Sequence, residues 1–399
     1  MEAAFWWERD NLKYINGKLY IGTQSLPELA CSAGTPLFVY HGARIRDNLV
    51  RVHSAFENSG LTYTIFYAMK ANRFLPMLTY LKTLGLCGID VSSPGELNLA
   101  LQVGFKQNEI SFTGTGVSDE DLDILQRNPY IYFNCDSISV IKRLGQRCPG
   151  RRIGIRINPH LGIGYNSSLE YAGSQVTKFG IYQNRYEEAL EIAYKFGLRV
   201  TTLHFHPGSG YLTDQLDGLD RILERCEWFL DRSPDLDTVN IGGGLGAPLY
   251  SGEKPLDLDR WAQIIARHLK PRNLRVQTEL GDYLVKDAGI LVLEVTTVEQ
   301  KENVLFVYVN GGMNLQNLPA YYHINAEVVP LVLDPISPRQ RITVAGNINE
   351  PIDIFAQEIP FQPVSEGDYI GLLNVGGYGS ATSSNHSMRG KFAEYLIMD

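Results

Sequence analysis

Tyr63-Thr-Ile-Phe-Tyr-Ala-Met-Lys70-Ala-Asn72 is the stretch on which the reading of this chain turns. Residues 63–68 are aromatic, β-branched or small and read as a buried strand. Lys70 stands just past its end. A lone lysine at such a place is usually a surface residue, its stem on apolar neighbours and its ammonium in water. At the mouth of an apolar site the ammonium loses hydration, its pKa falls, and the free amine attacks carbonyls. An aldehyde cofactor would be held there as a Schiff base. The pattern of the remaining chain decides between the two.

Outward from Lys70, short apolar runs alternate with longer amphipathic ones. Strands are expected at 63–67, 86–91, 110–113, 130–134, 153–157, 200–206, 238–241 and 274–279, with helical patterns such as 186–194, 214–230 and 257–268 between them. Eight strands with intervening helices fit a (β/α)8 barrel, whose usual size is about 250 residues. Such barrels carry their chemistry at the C-terminal ends of the strands. Lys70, Asp90, His206, Gly242 to Gly244 and Glu279 all fall at or just after an expected strand end. After about residue 290 the pattern changes to strands without helices, at 290–298, 304–309, 327–332, 342–345 and 368–373. Strand-like pieces also occur within residues 10–42. The expectation is a barrel over 43–289 and an all-β domain built from both chain ends, 1–42 and 290–399.

Composition narrows the class. The 399 residues suffice for two domains, and 44% hydrophobic with 20% charged is ordinary for a globular protein. A net charge of −8 argues against nucleic acid as a partner. No apolar run reaches the roughly 20 residues that span a bilayer, and the N-terminal residues lack a signal-peptide pattern. Five scattered cysteines suit reduced thiols and a cytoplasmic location. No CxxC or HExxH spacing points to a metal.

Pyridoxal 5'-phosphate (PLP) asks four things of a protein: an amine, a phosphate cradle, a partner for its ring nitrogen, and something against its face. Lys70 supplies the amine. Gly242-Gly243-Gly244 can bring bare N–H groups to a phosphate because no Cβ intervenes, and placed between a strand and a helix the run would form an anion site. His204 and His206 alternate onto one strand face, expected to be the barrel interior. A carboxylate such as Glu279 beside the pyridine nitrogen keeps it protonated and strengthens the electron sink.

The motifs resemble, in order, those of the fold-type III PLP enzymes, the group of alanine racemases and ornithine and diaminopimelate decarboxylases. They are Tyr67-Ala-Met-Lys70-Ala-Asn72, Asp90-Val-Ser-Ser-Pro-Gly-Glu96-Leu97, Thr177-Lys-Phe-Gly180, Leu203-His-Phe-His206-Pro-Gly-Ser209, Asn240-Ile-Gly-Gly-Gly244, Thr278-Glu279-Leu-Gly281 and Gly376-Gly-Tyr378-Gly379. The spacing is most similar to that of diaminopimelate decarboxylases. The resemblance implies Lys70, His206, Glu279 and, at the position of the family's cysteine, Asn349 as catalytic residues. His206 would stack on the PLP ring, with Asp90, Ser209, Gly243, Gly244, Gly281, Asp282 and Tyr378 also at the cofactor. It implies a homodimer with composite sites, Tyr378 and the 346–353 loop reaching the partner subunit's PLP. Glu279 favours a decarboxylase over a racemase, since alanine racemases place an arginine at that nitrogen.

Three departures alter the substrate end. The family's Pro-Gly-Arg after the glutamate is here Leu280-Gly281-Asp282, and a second family arginine aligns with Leu318. Those arginines grip a distal carboxylate through bidentate forks, so meso-diaminopimelate is disfavoured. The family's catalytic cysteine aligns with Asn349, which does no acid chemistry at neutral pH, while Glu350, Tyr322 and Tyr378 are retained. Asp282, Leu318, Tyr322, Asn349, Glu350 and Tyr378 form the expected substrate contacts. The expected function is PLP-dependent decarboxylation of an amino acid or amino-acid conjugate. An amino-acid racemase or epimerase on this fold, or a catalytically silent PLP-binding homologue, are the alternatives.

Overall fold

The computed structural model describes residues 5–165, 172–173 and 175–399. It comprises two compact units, Asn48–Ala247 with Lys254–Tyr283, and Met1–Asp47 with Pro248–Glu253 and Leu284–Asp399.

The first is a closed barrel of eight parallel strands: β1 Tyr63–Ala68, β2 Gly88–Val91, β3 Ile110–Phe112, β4 Tyr132–Cys135, β5 Arg152–Asn158, β6 Arg199–His204, β7 Thr238–Asn240 and β8 Arg275–Leu280. Each pairs with its neighbour in chain order, and β8 returns to β1 with Glu279 opposite Phe66. The strands sit within a few residues of their expected places because their apolar runs are buried on both faces; Phe66, Ile89, Ile155, Leu203, Val239 and Val276 are all fully enclosed. Helices between them start on local signals. The Ser93 hydroxyl accepts from the Glu96 N–H at the head of Pro94–Val103, and Asp257 caps Leu258–Leu269 through the Arg260 N–H. Space inside the barrel is set by Gly154 of β5, where a Cβ would meet the Asn134 amide and stand 3.2 Å from Thr202. That glycine admits a polar layer of Ser111, Asn134, His204, Asn240 and Glu279, all buried.

In the other unit the long strand Gly289–Lys301 organises the sheet. It pairs antiparallel with Leu37–His41, Tyr369–Leu373 and Val304–Val309, so N-terminal and C-terminal segments share one strand. Ala393–Ile397 then lies parallel to Leu37–His41. The unit is mostly β, as expected, with two helices added. Helices Leu26–Ala33 and Leu318–Tyr322 belong to it, each with a proline at its start, where a missing N–H costs nothing. Strand Ile354–Phe361 also has no counterpart in the expected set, because its exposed Gln357 and Glu358 interrupt the apolar pattern. Among the described residues no helix is long and apolar enough to cross a membrane.

Candidate active site

Lys70 lies in a single 3-10 turn, Met69–Ala71, directly after β1 and is half-buried. Gly281, after β8, packs on that turn: a Cβ there would stand 2.9 Å from the Cβ of Ala71 and 3.3 Å from that of Ala68. The close approach brings the ends of β1 and β8 together, and the charge of Lys70 is felt by Asp90, His204, His206 and Glu279.

Glu279 is the hub. Its Oε1 accepts from Asn240 Nδ2 at 2.8 Å, Thr113 Oγ1 at 3.0 Å, Ser111 Oγ at 3.3 Å and Asn134 Nδ2 at 3.5 Å. Its Oε2 is 3.1 Å from His204 Nε2. Burial acts to raise the Glu279 carboxyl, but the hydrogen bond from His204 and the charge of Lys70 outweigh it, and it is held well below the ordinary carboxylate range. His204 is itself pushed down by burial, against the pull of Glu279, so it is a neutral ring donating Nε2–H to the carboxylate.

Asp90, at the end of β2, behaves oppositely. Burial first, then the charge of Glu279, drive its carboxyl well above the usual range, against Lys70 and a hydrogen bond with Ser111. Two buried carboxyls thus sit in one site, one ionised and one protonated. Ser111 has a single hydrogen to give; Asp90 donating to it while it donates to Glu279 satisfies the chain of three. Asp90 Oδ1 is buried with no partner among the described residues.

His206 falls beyond the end of β6, which stops at His204. The Gly208 N–H donates to its Nδ1 at 3.2 Å, and burial followed by the charges of Lys70 and Arg156 push it well below the histidine range, so it is neutral. The glycine run after β7 is not followed by a helix as expected, since the next helix is Leu258–Leu269. Its glycines are needed for close backbone crossings instead. A Cβ on Gly243 would collide with the Glu279 carbonyl and one on Gly244 with that of Gly208, while Gly242 and Gly244 hold φ values of +64° and +96°. Ser209 sits opposite, in the short strand Gly208–Ser209 paired with Ile163–Gly164. Asp282 opens the four-residue helix Asp282–Val285, half-buried.

The remaining expected residues belong to the other unit. Asn349 and Glu350 are exposed on a loop, and Tyr378 is half-buried in the left-handed region at φ 58°. Asp353 pins the loop by accepting from the N–H groups of Met313 and Ile348, both at 2.6 Å. Glu350 lines a cavity of about 360 Å³ with Tyr321, Asn314, Thr382 and His386, whose Nε2 is 3.4 Å from Glu350 Oε1. Leu318 lines a different, far smaller cavity beside Lys286 and Gln316, and Tyr322 is half-buried on its helix. Sequence reasoning passed over Ser111, Thr113, Asn134, Asn240 and His386. The first four were visible only as polar residues closing otherwise apolar strands.

An amine, an ionised carboxylate in its field, a neutral imidazole and glycine backbone that no Cβ could replace fit an aldehyde cofactor with a basic ring nitrogen and a phosphate. Asp90 Oδ1, buried and unmatched, adds an acceptor ready for a donor.

Residues 43–286 match the family described as pyridoxal-dependent decarboxylase, pyridoxal binding domain. The diaminopimelate decarboxylase of Methanothermobacter thermautotrophicus is 32% identical, over 96% of this chain and 91% of the relative. That of Aquifex aeolicus is 30% identical over 97% and 92%. The solved diaminopimelate decarboxylase of Helicobacter pylori complexed with L-lysine superposes with a TM-score of 0.84 at 28% identity, covering 94% of each chain. The arginine decarboxylase of Paramecium bursaria Chlorella virus shares the fold, with a TM-score of 0.81 at 17% identity over 93% of this chain and 99% of that one.

Proposed function

The chain belongs to the pyridoxal-dependent decarboxylases, a carboxy-lyase using PLP, and from that premise we propose that it decarboxylates an α-amino acid or amino-acid conjugate whose far end is neutral or cationic. PLP, when bound, supplies the sink for the electron pair left on Cα as the carboxyl carbon departs. Lys70 would hold the cofactor's aldehyde carbon. Gly243, Gly244 and Ser209 would bind its phosphate, and the neutral ring of His206 would lie against its face. Glu279 would keep the ring nitrogen protonated. The observation that carries this reading is the convergence of five side-chain donors on that carboxylate inside a barrel, a setting that favours its ionised form.

The substrate follows from what the pocket offers. The resemblance implies that Asp282 and Leu318 replace the two arginines with which the family grips a distal carboxylate. An acid and an alkyl group there leave such a carboxylate unpaired, which costs several kcal/mol when it is buried. Glu350 with His386 beside it, delivered with Tyr378 and Asn349 from a partner subunit of a homodimer, suits an amine or amide instead. The test is an amino-acid panel assayed for CO2 and optical rotation together. Release of CO2 from a basic or conjugated amino acid, with little from meso-diaminopimelate, is the expected result. Equal turnover of meso-diaminopimelate would refute the substrate assignment, and inversion without CO2 would refute decarboxylation in favour of the racemase that the Asn349 replacement permits.

A further inference from the structure

We propose that His204 is a positioning residue for Glu279: its Nε2–H holds Oε2 in the orientation from which that oxygen meets the proton on the pyridine nitrogen. The inference rests on the reading above that Glu279 serves that nitrogen.

The carboxylate has two unequal oxygens. Oε1 is shared among Asn240, Thr113, Ser111 and Asn134, arriving from the ends of β7, β3 and β4. A carboxylate oxygen has two lone pairs, so four donors leave it no capacity. Among the described residues Oε2 has His204 alone, at 3.1 Å, and one lone pair to spare. Only Oε2 can therefore accept a further proton donor. Rotation of the carboxylate would exchange the two oxygens and hide the free lone pair. The short Asn240 bond on one side and the His204 bond on the other oppose it.

His204 is also placed as a dedicated donor. It is fully buried, and its Nδ1 has no partner among the described residues. With the ring neutral, its one proton is on Nε2 and goes to Glu279. A histidine kept merely for packing would have both nitrogens satisfied or be replaced by an apolar ring at no loss. Here one nitrogen is left unmatched so that the other can hold a carboxylate oxygen.

The test is a pH titration of the visible absorbance of cofactor-loaded protein, with kcat and KM on the best substrate of the panel. It compares wild type with His204→Ala, His204→Gln and Glu279→Gln. Glu279→Gln should move the titration midpoint most. His204→Ala should move it in the same direction by about one unit and lower kcat about tenfold with KM nearly unchanged. His204→Gln, whose amide carries an N–H towards Oε2, should restore most of both. If the alanine variant does not fold, His204→Phe fills the space without a donor and takes its place. An unmoved midpoint in a folded donor-less variant, with Glu279→Gln shifted, overturns this proposal alone. A midpoint unmoved in Glu279→Gln overturns the underlying reading of Glu279 and this proposal with it. A glutamine variant no better than alanine also overturns it.

Discussion

At the scale of single residues the site is a set of opposed protonation states. Lys70 is the residue on which the others converge, and its identity has a direct check. Borohydride should fix PLP covalently to the wild-type chain, and Lys70→Ala should abolish that labelling; undiminished labelling in the variant would assign the amine elsewhere. The histidines give a second prediction. Burial holds His204 and His206 below the ordinary histidine value, so near pH 6.5 the unfolded chain binds protons that the fold does not. The stability they contribute is present above that pH and is lost as pH falls below it. Glu279, held low, acts with the same sign but only below the ordinary glutamate range. Asp90, pushed up, acts with the opposite sign, its contribution being lost as pH rises. The histidine share is isolated by substitution: His204→Gln should reduce the fall in Tm between about pH 7 and about pH 5.5 relative to wild type. An identical fall in both proteins would mean that His204 takes up its proton in the fold as readily as in the unfolded chain, and a steeper fall in the variant that it is held charged.

Among elements, the loop that bears Asn349 and Glu350 is held by a single buried acid. Asp353 is buried and ties the loop bearing Asn349 and Glu350 to the chain at Met313. Burial raises its carboxyl while the two backbone N–H groups act to lower it. Gly312 and Gly346 make room for it: a Cβ on Gly312 would stand 2.7 Å from its Oδ2, and one on Gly346 would also strike the carboxylate. Asp353→Ala strands two buried N–H donors and should cost about 2 kcal/mol in denaturant unfolding. It should also weaken turnover more than it weakens cofactor binding, because Asn349 and Glu350 on the loop are expected substrate contacts. A variant of unchanged stability would mean the loop is held by other bonds. The barrel strands were legible in the sequence because two-sided burial demands largely apolar runs, as in Ile65 to Ala68. Lys70, Asp90 and Glu279 were legible because each ends such a run with a charge. The donors around Glu279 were not: Ser111, Asn134 and Asn240 are ordinary polar residues until strands distant in sequence close into a ring. The helix expected after the glycine run failed for a related reason. Its glycines answer to the carbonyls of Glu279 and Gly208, which local pattern does not reveal.

For the whole molecule the issue is where a complete site resides. Lys70, His206 and Glu279 lie in the barrel unit, whereas Asn349, Glu350 and Tyr378 lie in the unit built from both chain ends. Glu350 and Tyr321 are exposed, and Ile352 beside them is 46% exposed. An apolar and charged rim around the 360 Å³ cavity is the surface expected of a patch that another subunit covers. If the partner supplies Tyr378, damage to Lys70 and damage to Tyr378 are lesions in different halves of each composite site. Mixing inactive Lys70→Ala subunits with inactive Tyr378→Phe subunits then gives hybrid dimers in which one site carries both lesions and the other neither. With free exchange half the dimers are hybrids and half their sites are whole, so activity should return to about a quarter of the wild-type value. Sedimentation should give a dimer for each protein. Exchange demonstrated by mass without any return of activity, or a fully active monomer, would show that each chain completes its own site.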